Sequence, residues 1–157
     1  MVENLPDSRF PTLKMDLARA AAGLSFILSG LMILLNAVRL PDSFFGAVFK
    51  LALFPFYAQW IRLVVLPRAL LFAWLLLIYQ MIFGACILAK GKIVTIGLAG
   101  YLGFLVVSIP AFGLYSLINL PLILIAAVLL PKRYSKTTLE VFREVFARNT
   151  PPQSGEH

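Results

Sequence analysis

Histidine, cysteine and the carboxylates are the side chains that hold metals and move protons, and this sequence places them poorly for either task. Its one histidine, His157, lies in a polar tail, whereas an axial haem ligand needs a packed and rigid position. The one cysteine, Cys86, stands in an apolar run with no CxxC or HxxxH spacing anywhere, so zinc and iron–sulfur sites lack their ligands. A lone cysteine forms no intrachain disulfide and reads as a small buried hydrophobe. The seven carboxylates are Glu3, Asp7, Asp16, Asp42, Glu140, Glu144 and Glu156. None falls within a long apolar run, where a proton relay would need an ionisable group. No phosphate-cradling loop is present either, and Gly97, Gly100 and Gly103, three residues apart, read as a helix-packing face. The expectation is a chain without catalytic residues, metal or cofactor. What remains is a set of uncharged polar groups, Asn36, Gln59, Tyr79, Gln80, Tyr101, Tyr115 and Asn119. In lipid these need partners, either across helices or in a ligand.

The elements that position them are dictated by hydrophobicity. With 61% apolar and 13% charged residues among 157 and a mean hydropathy of +0.90, the chain has more apolar surface than a small soluble domain hides. A bilayer supplies the second solvent. The spacing predicts an all-α integral membrane protein, a four-transmembrane-helix bundle over 17–130 with spans at 17–38, 69–88, 93–109 and 113–130. The first span carries a single charge, Arg19, and with mixed charges before it and no A-x-A cleavage pattern it reads as retained. Residues 93–130 hold no charge at all, and these 38 residues would extend roughly 57 Å as one helix, nearly twice the hydrocarbon thickness. The run must therefore fold back, at the breakers Ser108, Pro110, Gly113 and Ser116. Within the first span, Ala18, Ala22, Ser25, Ser29, Met32 and Asn36 recur at steps of four and three, a stripe of small and polar residues expected to pack against another helix.

Residues 39–68 form a different kind of segment. Phe44, Phe45, Phe49, Phe54, Phe56, Tyr57 and Trp60 crowd together beside Lys50, Arg62 and Arg68, a composition suited to the headgroup level. One or two interfacial amphipathic helices broken at Pro55 are expected, the alternative being a re-entrant or fifth spanning segment. Phe49, Phe56, Tyr57, Trp60, Arg62 and Arg68 are the candidate contacts for a partner subunit, a lipid or a quinone, since aromatic and arginine side chains concentrate at binding surfaces. Residues 1–16 and 131–157 lie outside the bundle. The latter begins with a basic knot, and Thr137 with Glu140 has capping-box spacing ahead of Leu139, Phe142, Val145 and Phe146, predicting a short amphipathic helix over 138–148.

The formal charge of +7 fits a membrane face better than nucleic acid, because the cations flank apolar segments. Ten of the 14 Lys and Arg fall in the N-terminal segment, the 90–92 turn and the tail, and the other four in 39–68. The positive-inside rule then puts both termini in the cytoplasm of a multi-pass inner (cytoplasmic) membrane protein.

The segment Tyr79-Gln80-Met81-Ile82-Phe83-Gly84-Ala85-Cys86-Ile87-Leu88, with the basic turn and Gly-rich span after it, resembles the second and third helices of the DoxX-like membrane proteins. Gln80 stands where many members carry a glutamate. The resemblance implies association with quinone-linked electron transfer as an accessory subunit. Combined with the residue reading, the expected function is a non-catalytic subunit of a membrane complex whose partners are lipids, other integral membrane subunits and a quinone. The alternatives are a quinone-binding redox module and a small lipid or small-molecule carrier.

Overall fold

The computed structural model describes residues 13–113, 117 and 119–149. The terminal segments, and Tyr115 and Ser116 of the expected turn, lie outside the described residues. All regular structure among the described residues is helical: α1 (Leu13–Arg39), α2 (Pro41–Leu51), α3 (Pro55–Trp60), α4 (Ala69–Leu88), α5 (Lys92–Phe112), α6 (Leu120–Leu129) and α7 (Thr138–Asn149). Among the described residues three helical stretches are long and apolar enough to cross a membrane: Leu13–Arg39, the 34 residues Pro55–Leu88, and Lys92–Phe112. α6 is apolar throughout but only 10 residues long.

The prolines explain where the helices stop and where they do not. α2 ends at Leu51 and the backbone turns extended at Ala52; Pro55 then opens α3 at its first position, where a missing N–H costs nothing. The break expected at Pro55 is thus present. Pro67, by contrast, does not begin a new helix. The chain reaches it already helical, through a π-turn at Ile61–Val65 and a 3₁₀ turn at Leu66–Arg68. Proline has no N–H to give the preceding turn and its ring crowds the carbonyl there. The ladder adapts by widening before it, with Leu66 N–H donating to Ile61 O, and tightening after it, with Ala69 N–H donating to Leu66 O. The second half of the aromatic segment is therefore continuous with α4. Pro110 likewise does not end the third long helix, expected to stop at 109. α5 runs through it to Phe112 and stops at Gly113, whose φ of 57° suits only glycine. The Pro110 carbonyl accepts a hydrogen bond from Leu53 N–H at 2.9 Å, tying the α2–α3 break to α5.

α1 and α4 form the most extensive pairing, and glycines let them approach. A Cβ on Gly84 would meet Ile27 Cγ1 at 2.5 Å and the Gly23 carbonyl at 3.1 Å. In lipid such close backbone packing supplies the association that hydrophobicity cannot. The buried face of α1 is Arg19, Ala20, Ala22, Gly23, Phe26, Gly30, Leu34 and Ala37. Phe26, which lies off the small-residue stripe, stacks edge-on against Tyr101 at 4.8 Å and Phe104 at 5.3 Å between ring centres. Large apolar side chains such as Leu28, Met32, Leu71 and Ile96 cover the exterior, each more than half exposed.

Two cores mark the two ends of the bundle. One joins Ala22, Phe26, Ile87, Leu98, Ala126 and Tyr134 near the start of α1. The other joins Leu34, Phe45, Ile61, Val65, Ala73 and Ala111 at the opposite end. These are called the near and far ends below.

Candidate functional site

At the far end α1, α2, the π-turn, α4 and α5 do not close completely. A cleft of about 240 Å³ lies among Phe45, Tyr57, Trp60, Val65, Phe72 and Phe112. A larger one, about 480 Å³, adjoins it between α1, α5 and α6, edged by Ser25, Ser29, Tyr101, Ser108 and Asn119. The two share Ile33, Phe104, Ser108 and Phe112 as walls and together make a two-lobed site. Among the described residues no Lys, Arg, Asp or Glu lines either lobe. The first lobe is an aromatic chamber: Trp60 meets Phe72 nearly edge-on with centres 6.1 Å apart, and Tyr57 lies 5.9 Å from Trp60. The second is the more polar. Ser25 Oγ donates to Ala22 O at 3.0 Å and Ser108 Oγ to Leu105 O at 2.7 Å, the back-bonding by which hydroxyls satisfy themselves on a helix in lipid. Asn119 Nδ2 donates to Ser108 Oγ at 3.3 Å, which fastens the start of α6 to α5. An uncharged, mostly apolar cleft with a few hydroxyls and one amide suits a neutral lipophilic molecule bearing a hydrogen-bonding head.

The expected contact residues divide among these surroundings. Tyr57 and Trp60 line the aromatic lobe. Phe56, at 79% exposure, and the exposed Arg62 and Arg68 do not. Phe49 belongs to α2, and its side chain lies outside the described residues. The small-residue stripe of α1 also splits. Ala22 is buried and Ala18 packs against the near-end core; Ser25 and Ser29 are exposed on the edge of the polar lobe, and Met32 and Asn36 are exposed. On α5 a Cβ at Gly97 would meet Ile87 N at 2.6 Å, and one at Gly100 would strike the Phe83 ring, whereas Gly103 opens on empty space.

Two polar centres stand out: Arg19, read from sequence only as the single charge of the first span, and Gln80, one of the polar groups expected to need partners. Arg19 is completely buried. Its Nη1 donates to Ala89 O at 2.9 Å and Nη2 to Lys136 O at 3.2 Å. Nη2 also lies 3.3 Å from Asp16 Oδ1, and the guanidinium sits 4.6 Å over the Tyr134 ring. One side chain thus joins α1, the α4–α5 turn and the chain after α6. The signal was available, since an arginine in an apolar run is costly unless paired and Asp16 stands three residues before it. The second is Gln80, also completely buried, whose amide nitrogen and oxygen have no hydrogen-bond partner among the described residues. It lies against Gly30, where an added Cβ would come within 2.6 Å of its Oε1. Among the described residues no group of His, Cys, Asp and Glu is placed to hold a metal. No family model, curated protein or solved structure matches this chain.

Proposed function

We propose that this chain is a non-catalytic subunit of a larger membrane complex that holds a neutral lipid or a quinone in the two-lobed far-end cleft and presents it to a partner protein. The observation that carries the reading is the cleft itself, aromatic in one lobe, hydroxyl- and amide-edged in the other and without a charged side chain among the described residues that line it. Exposed Trp60, Leu63 and Phe54 around the α2–α3 break supply an apolar surface on which a partner can seat.

The proposal includes four crossings, with α6 as the last. Its support is that α6 starts beside Ser108 near the far end and leads to Tyr134, whose carbonyl accepts from Gly91 N–H of the α4–α5 turn at 2.7 Å. In this arrangement α2 and α3 lie along the far interface, α7 lies along the near one, and both termini are in the cytoplasm. Kinship with the DoxX-like proteins, and with it a place in quinone-linked electron transfer at the inner membrane, belongs to the same proposal and rests on segment 79–88 and the basic turn after it.

Trp60→Ala combined with Tyr57→Ala opens the aromatic lobe without touching the α1–α4 pairing. Purified in mild detergent and examined by native mass spectrometry, the parent is expected to carry a neutral lipophile and to co-purify with a membrane partner, both lost from the double variant while helix content is kept. A double variant that retains both at parental levels overturns the reading, as does a parent that elutes alone and empty.

A further inference from the structure

The near end gathers positive charge from two distant parts of the chain. Lys90 and Lys92 flank Gly91 in the α4–α5 turn, and Arg133 precedes Tyr134 after α6. The hydrogen bond from Gly91 N–H to Tyr134 O, 2.7 Å long, brings these two stretches together. Arg19 holds the same join from beneath, through the carbonyls of Ala89 and Lys136. Lys90, Lys92 and Arg133 are all exposed. The carboxylates described at this end are already engaged: Asp16 with Arg19 at 3.3 Å, Glu144 with Lys136 at 2.6 Å, and Glu140 with the Thr137 N–H at 2.8 Å. Glu140 also feels Lys90 electrostatically, but its Oε2 is committed to that cap. The patch therefore keeps an excess of cations.

We propose that Lys90, Lys92 and Arg133 form a binding site for the phosphate of an anionic phospholipid in the leaflet at the near end. Charge complementarity selects a phosphate-bearing partner, and the neighbouring apolar surface selects a lipid over a soluble polyanion. Ile93 beside Lys92 is 50% exposed and Leu139 of α7 is 64% exposed, so hydrocarbon contacts lie next to the cations. Lys90 lies two residues after α4, Lys92 opens α5 and Arg133 lies four residues after α6, the level at which lysine and arginine side chains reach headgroups. Juxtamembrane cations each contribute about fivefold to anionic-lipid association.

The full chain, purified in mild detergent and mixed with phosphatidylcholine and phosphatidylglycerol in equal amounts, is expected to retain the anionic lipid preferentially in native mass spectrometry. Replacing all three cations, K90Q/K92Q/R133Q, should lower that preference by roughly tenfold or more, given the contribution of each charge. Lys50→Gln, an exposed cation at the far end, should leave it intact. The inference is overturned if the parent shows no preference, if the triple variant keeps it, or if millimolar inorganic phosphate displaces the lipid, which would reassign the patch to a soluble anion. None of these outcomes bears on the far-end cleft.

Discussion

Arg19 shows how one side chain fixes an end of the molecule. A buried guanidinium is costly unless its donors are met, and here two backbone carbonyls, Asp16 and the Tyr134 ring engage its outer end, while Nε has no hydrogen-bond partner among the described residues. Arg19→Leu should destabilise the protein by about 3–5 kcal/mol, because the carbonyls and the carboxylate lose a partner they cannot replace. Arg19→Lys should recover only part of that, since one ammonium does not reproduce the planar fork. Thermal melting in detergent, and limited proteolysis of the released chain after α6, test both. Tyr134 adds a pH dependence. Burial pushes its phenol up to about 12, against a smaller opposite pull from Arg19, so the folded state prefers the neutral phenol more strongly than the unfolded chain does. The resulting stability is present below pH 10 and lost as the pH rises from about 10 to 12, a decline of roughly 2–3 kcal/mol at 1.36 kcal/mol per pKa unit. In Tyr134→Phe that part of the slope should be absent in alkaline melting curves; a slope equal to the parent's would show that the phenol does not titrate with unfolding.

At the scale of elements, the glycines of α5 separate packing from mere smallness. Their three-residue spacing suggested one contact face, but the helix turns Gly97 onto the backbone of α4 and leaves Gly103 open. Backbone cannot move aside as a flexible side chain can, so Gly97→Ala should cost about 1–3 kcal/mol. Gly103→Ala meets nothing and should be neutral or stabilise by up to about 1 kcal/mol through helix propensity. Melting temperatures of the two variants in one detergent decide this, and equal losses would return Gly103 to the packing face. The prolines were legible only in part. Pro55 opens a new helix after the extended break that follows Leu51, whereas Pro67 and Pro110 are absorbed into continuing helices. Sequence marks where a backbone bond is missing; packing of the neighbouring helices decides whether the helix bends or ends.

For the whole molecule, the join between the α4–α5 turn, the start of α1 and the chain after α6 puts these segments at one end of the bundle. Single cysteines placed at Lys14 and Arg133 in a Cys86→Ser background should therefore react alike with an impermeant thiol reagent added outside intact cells, and under the proposed cytoplasmic orientation both should be shielded from it. Labelling of either one from outside refutes the cytoplasmic orientation. The apolar excess, the long helices, the near-end cations and the capping box of Thr137 with Glu140 were legible in the sequence, because each depends on residues close together in the chain or on overall composition. Tertiary structure alone decided which face of α1 is buried, the union of Tyr57 and Trp60 with Ser108 and Phe112 in one cleft, and the burial of Arg19 beneath two distant carbonyls. The periodicity of an apolar helix in lipid names no inside, since leucine is equally at home against lipid and against protein; only the close approach of glycine-bearing backbones chooses the face.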